Sequence, residues 1–226
     1  MSEATATRQF DSAAAVTRSL LGWGVVAGPF YVTFGLVLAL TRPGFSLSEH
    51  ALSLLMLGDW GWLQRVNLVL SGLMVLAAAY GFFRAIRSGR GLAVAAGVGV
   101  FGACLLLSAT FPPDPVDGFP PGAVATATTS GILHLVFGAL GFVALAVAAF
   151  AYAAWTRAEG IEGQRVPAIV LGSLVLAGFV GGAALATSGV GVALLWIAVL
   201  AGWMWLALAS ARVYRWTPHP DTGLRS

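Results

Sequence analysis

An all-α bundle of six transmembrane helices, with a short interfacial helix in the first extracytoplasmic connection, follows from three observations. Apolar residues make up 58% of the chain and charged residues 9%, where a soluble domain carries about 25% charge, so the polar surface could not cover a water-soluble globule. Six nearly uncharged runs each approach the roughly 20 residues needed to cross a hydrocarbon core about 30 Å thick. Short polar turns rich in Arg, Pro and Gly separate them. One membrane domain over 20–210 is expected, with spans near 20–40, 62–83, 91–111, 131–155, 166–186 and 190–210. Residues 1–19 and 211–226 are short cytoplasmic segments on this reading.

The run Leu20 to Leu40 is longer than a secretory apolar core of about 7–15 residues and is read as a retained first span. Pro29 falls inside it, where it removes one backbone donor and introduces a kink that neighbouring helices tolerate. In the first connection, Ser46 and Glu49 have capping-box spacing, which predicts a helix starting there. Ser46, Glu49, His50 and Ser53 would form its polar stripe, opposite Leu47, Ala51, Leu54 and Leu55, so that the helix lies amphipathically at the interface. Trp60 and Trp62 then mark a headgroup boundary.

The second span carries Gln64, Asn67 and Ser71 on one face of its first turns, with Arg65 at its mouth. In the third, Gly91, Ala95, Gly99 and Ala103 recur every four residues and predict a close helix–helix seam. Pro112 and Pro113 end it. The fourth presents His134, Gly138, Gly141 and Leu145 along one face, which points the imidazole into the bundle. Pro167 suits the first turn of the fifth span, where Gly178 and Gly182 form a second close-packing pair. A Thr187-Ser188-Gly189 turn leads to the sixth, whose Trp196 and Trp203 are read as lipid-facing or interfacial.

Orientation follows from the arginines. There is no lysine, and of 12 arginines only Arg42 and Arg65 lie on the side of the first, third and fifth connections. The positive-inside rule then makes this a multi-pass cell-membrane protein with both termini cytoplasmic. His50, Asp59, Asp114, Asp117 and His134 gather on one extracytoplasmic side. The pI of about 9.6 does not indicate nucleic acid, because the arginines flank apolar spans and are not interleaved with exposed aromatics. Cys104 is the single cysteine and lies in an apolar run, so neither a disulfide nor a cysteine metal cluster is available.

Few residues in such a chain can carry chemistry. His134 as general acid/base and Asp114 as its orienting carboxylate are the catalytic candidates. Glu49, His50, Arg65, Asn67, Ser71, Asp114 and His134 are the ligand-binding candidates, placed in an outward-facing polar pocket between the first four spans. Gln64, Asn67 and Ser71 read equally as interhelical hydrogen-bonding glue, Asp114 as a Pro-Asp-Pro turn cap, and His134 as a neutral imidazole holding the bundle together. Two histidines and a carboxylate could hold a catalytic zinc, but no H-x-x-x-H or H-E-x-x-H spacing supports it, and no metal or cofactor is expected. Ser53 lacks triad partners, no phosphate loop follows a strand, and no midplane carboxylate or inverted repeat suggests a transporter. The expected partner is a membrane lipid or other amphipathic molecule; an enzyme acting on a lipid or prenyl substrate is the alternative.

The run Pro43-Gly44-Phe45, Ser48-Glu49-His50-Ala51-Leu52-Ser53-Leu54-Leu55, Leu57-Gly58-Asp59, Gly61-Trp62-Leu63-Gln64 and Asn67 resembles the first outward segment of the DUF998 family of six-span prokaryotic membrane proteins. Phe111-Pro112-Pro113-Asp114-Pro115 and the His134 helix with Gly138 and Gly141 resemble that family's second hallmark. The resemblance covers most of the chain and implies six spans without an assigned activity. Many members carry H-G-x-x-H at the start of the fourth span. Here the matching position is Ser130, in Ser130-Gly131-Ile132-Leu133-His134, a departure that weakens a metal-dependent reading.

Overall fold

Three of the six long helices begin with the same device. Ser88, Thr128 and Ser188 sit in extended backbone and each accepts a hydrogen bond from the amide of a glycine three residues on, Gly91, Gly131 and Gly191. The hydroxyl satisfies a helix-terminal donor that would otherwise be unpaired. The glycine is demanded by space: a Cβ there would collide with the Ile86 carbonyl, the Asp114 carboxylate and the Leu185 carbonyl respectively.

The computed structural model describes residues 10–221 except Thr187, so Arg8, Arg225 and the Thr187 part of the last turn lie outside the described residues. The helices are α1 (Ser12–Thr41), α2 (Gly61–Ala85), α3 (Gly89–Thr110), α4 (Thr129–Ala158), α5 (Arg165–Ala184) and α6 (Gly189–Trp216). All six are long and apolar enough to cross a membrane. This is an all-α six-helix bundle of a multi-pass membrane protein. α1 starts at Ser12 and α6 runs to Trp216, so both extend past the apolar runs. α1 passes through Pro29 without a break in the helix, and α3 stops at Thr110 ahead of the proline pair.

Each helix packs on its sequence neighbours, and α1 packs on α6 to close a ring. An even number of passes brings the termini together: the Asp11 amide donates to the Pro220 carbonyl at 2.9 Å. At the same end Arg18 donates to the Tyr214 and Thr217 carbonyls of the α6 terminus and stacks on the Tyr214 ring, 4.0 Å from its centroid. Arg84 closes α2 onto α1 through Thr17 and the Ala13 carbonyl. Arg18 thereby satisfies carbonyls at the α6 end that have no partner within their own helix.

The tightest approaches in α3 differ from the seam read off the sequence. A Cβ on Gly97 would strike the Ala144 carbonyl and Ala148 of α4, and one on Gly102 would crowd Gly72 and Leu76 of α2. Gly99 meets only Ala79, at 3.7 Å. A four-residue small-residue repeat cannot describe a helix pinched on both sides, because its two contacts fall on opposite faces. On α5, Gly178 and Gly182 do lie against α6, opposite the Leu194 and Gly191 carbonyls.

The short helix of the first connection is also displaced. It is a 3-10 helix over Leu52–Met56, not an α-helix from Ser46. Ser46 to His50 forms a turn instead, closed by His50 N–H to the Ser46 carbonyl at 2.8 Å and by Ser46 N–H to the His50 ring at 2.9 Å. The imidazole thus takes the Ser46 amide that a capping box would have paired with the Glu49 carboxylate. Leu52, Leu54, Leu55 and Met56 are all buried, so the segment is a plug in the bundle end.

Candidate functional site

The site is the bundle end opposite the termini, where the first and third connections interlock. Val116-Asp117-Gly118-Phe119 is a tight reversal with positive φ at Asp117 and Gly118, the conformation that Asp-Gly favours, and Phe119 N–H donates to the Val116 carbonyl at 3.0 Å. It throws the buried Phe119 into a trio with the buried His50 and the half-buried Phe45, ring centroids 5.2 to 5.3 Å apart. His50 accepts from Ser46 N–H at Nδ1, so its proton is on Nε2, which donates to the Asp117 carbonyl at 3.1 Å. Both ring nitrogens are occupied. His50, expected on a polar stripe, is instead a buried latch between two connections.

Arg42 spans the first connection from the α1 end, donating to the Leu55 and Leu57 carbonyls at 3.2 Å. Partial burial draws its guanidinium pKa down, and the nearby Asp59 carboxylate opposes this. On α6, Trp196 donates from its indole to the Leu47 carbonyl at 3.3 Å and ties the same connection to the bundle.

Asp114 is committed to the start of α4. Its carboxylate accepts from the Thr128 hydroxyl at 2.6 Å and from the Thr128 amide at 3.0 Å. These bonds hold its pKa below the usual carboxylate range, the hydroxyl contributing most. Ser130 donates from its hydroxyl to the Pro112 carbonyl at 2.9 Å and fastens the same junction.

His134, one turn further into α4, bonds elsewhere. Its Nδ1 lies 2.8 Å from the Phe111 carbonyl and 3.3 Å from that of Ser108 at the end of α3. Carbonyls only accept, so Nδ1 carries the proton and Nε2 is left as an acceptor with no partner among the described residues. Asp114 therefore does not orient His134.

His134 lines a cavity of about 260 Å³ below the plug. The walls are Tyr31 of α1, Leu68 of α2, Phe101 and Cys104 of α3, and Gly138, Gly141 and Phe142 of α4. Phe179 of α5 and Trp203 of α6 also face it, so all six helices contribute, not the first four alone. Glu49, Ser53 and Asp117 bring polar atoms from the connections, yet the wall is chiefly aromatic and aliphatic. Trp203 is buried against Tyr31 and Phe101, with centroids 5.2 and 5.5 Å away, and is thus not lipid-facing. Space exists because Gly138 presents no side chain: a Cβ there meets nothing within 4 Å.

The remaining sequence candidates lie apart. Gln64, Asn67 and Ser71 are fully buried against α1 and outside the cavity wall. Asn67 donates to the Tyr31 carbonyl and to the Gln64 side-chain oxygen, both at 3.1 Å, and accepts from Ser71 at 3.4 Å. Arg65 is exposed on the outer face of α2, away from the cavity. The structure thus brings Glu49 and His134 to one space and leaves His50, Asp114, Asn67, Ser71 and Arg65 outside it. Tyr31, Phe179 and Trp203 were not among the candidates; the one available signal was the placement of Trp196 and Trp203 seven residues apart on a helix face.

Among the described residues no three of His, Cys, Asp and Glu are grouped to hold a metal ion. No curated protein and no solved structure gives a significant match to the chain. The family model described as "Protein of unknown function (DUF998)" matches residues 25–212, from within α1 to near the end of α6. The match covers most of the chain, including both interlocked connections, and the chain belongs to the DUF998 family.

Proposed function

We propose that the protein binds one amphipathic, lipid-like molecule in the cavity beneath the plug. The observation that carries this reading is the conjunction of a chiefly apolar cavity with an open acceptor on its wall, the Nε2 of the buried His134. At about 260 Å³ the space is smaller than the roughly 300–1,000 Å³ of drug-sized pockets, so it suits one acyl or prenyl chain. An unprotonated imidazole nitrogen favours a ligand that carries a donor, such as a hydroxyl group. The arginine distribution supports a cell-membrane protein with cytoplasmic termini, so that the plug and cavity face outward.

Binding of oleyl alcohol to purified protein tests this reading. Gly138→Phe fills the open space and is expected to weaken binding at least about tenfold, worth about 1.4 kcal/mol, while the melting temperature is kept. His134→Leu should weaken oleyl alcohol more than octadecane, by the several-fold that one hydrogen bond supplies. Equal binding by wild type and Gly138→Phe would end the proposal. The enzyme alternative would require turnover of the bound molecule that depends on His134; Asp114, held by Thr128, adds nothing to it.

A further inference from the structure

A second site lies at the opposite end of the molecule, and nothing described above uses it. Three arginines from three consecutive helices line one cleft of about 640 Å³: Arg90 in the first turn of α3, Arg157 in the last turn of α4 and Arg165 at the start of α5. No carboxylate lines it. Among the described residues the one ion pair is His219 with Asp221, so no described carboxylate pairs with any of the three guanidinium groups. Nor does any of them donate a hydrogen bond to a described residue, in contrast to Arg18 and Arg84 at the same end. Three positive charges lining one cleft without a described carboxylate partner repel one another, and a bound anion relieves that repulsion.

The rest of the cleft shows what bears the anion. Along α4 the face below Arg157 continues through Ala154 and Ala153 to Phe150, at helical spacings of three, four and seven. On α5, Ile169 lies one turn below Arg165. Phe150 and Ile169 are exposed at 36% and 38% on the outer surface, and the small side chains of Ala153 and Ala154 leave the track between the helices unfilled. The cleft is therefore cationic at the helix ends and apolar toward the membrane interior. That order of polarity is the order within a phospholipid.

We propose that this cleft binds the phosphate headgroup of an anionic membrane lipid, with one chain lying along Phe150 and Ile169. Guanidinium groups match phosphate oxygens in pairs, which makes arginine the appropriate residue here. Basic pockets between helices at the arginine-rich membrane face are suited to anionic headgroups. A free phosphate ion shares the headgroup chemistry but would not need the apolar track.

The test uses the full chain in phosphatidylcholine nanodiscs with a minor fraction of phosphatidylglycerol, with retained lipid read by native mass spectrometry. Wild type should retain phosphatidylglycerol in preference to phosphatidylcholine. Arg90→Gln, Arg157→Gln and Arg165→Gln should each cut the preference about fivefold, and the triple variant about a hundredfold. Arg87→Gln and Arg215→Gln, at the same end but outside the cleft, should leave it unchanged. Ala154→Trp blocks the chain track while all three charges remain, and should also weaken phosphatidylglycerol. Equal retention by the wild type and the single variants, or equal losses in the two controls, would overturn the site. If inorganic phosphate displaced the lipid at comparable concentration and Ala154→Trp had no effect, the lipid assignment would be wrong.

Discussion

Two polar side chains of the distal end act on backbone groups, and each makes a distinct prediction. The Asp114 carboxylate caps the α4 entrance through Thr128, which lowers its pKa. A lowered folded value means that this stabilisation is fully present above the ordinary carboxylate pKa of about 3.9 and is lost as pH falls through the lowered value. The melting temperature of Asp114→Asn should therefore lie below that of wild type at neutral pH, and the gap should close in acid. A gap that is constant with pH would contradict the cap. His50 latches the third connection onto the first through a hydrogen bond to the Asp117 carbonyl and a ring contact with Phe119, while Ser46 and Phe45 hold the imidazole from its own connection. His50→Phe keeps the rings and removes the hydrogen bonds, so it should cost about 1–3 kcal/mol and speed hydrogen exchange at Phe119. These roles were only partly legible in the sequence. A histidine beside Glu49 on a helical stripe looks solvent-facing, and what buries it is Phe119, far along the chain.

At the scale of the elements, some glycines permit helix contact, and Gly138 instead leaves space in the cavity. Gly97 and Gly102 let α3 approach α4 and α2, whereas Gly138 faces the cavity with no neighbour in reach. Gly102→Leu should therefore destabilise the bundle by about 1–3 kcal/mol, because the side chain must enter packed α2. Gly99→Ala, whose Cβ would meet Ala79 at an ordinary contact distance, should be neutral or slightly stabilising. Thermal denaturation of both variants in one detergent checks the contrast, and equal losses would sink the assignment. Three helices start where a hydroxyl residue precedes a glycine by three, at Ser88, Thr128 and Ser188, a pattern that hydropathy alone, which begins the spans near 91, 131 and 190, does not pick out. The Ser46–Glu49 box has similar spacing yet starts no helix, since the His50 ring claims the Ser46 amide.

For the whole molecule, the ring of six helices brings both chain ends to one face and the first and third connections to the other. In a Cys104→Ala background, Arg87→Cys and Val124→Cys should react with an impermeant thiol reagent from opposite sides of the membrane. Labelling of both from one side would refute the arrangement. What the sequence by itself determined is the number of crossings, the parity that separates the connections, and the placing of most charge at one end. Those follow from composition and length, because a bilayer rejects charge and unpaired backbone wherever the chain crosses it. The tertiary structure alone decided which side chains meet: Trp203 with Tyr31 and Phe101, Phe119 with His50, three arginines along one cleft. The helices are apolar on nearly every side, so periodicity does not distinguish a lipid-facing residue from a core residue. Only close packing between specific neighbours selects the face that turns inward.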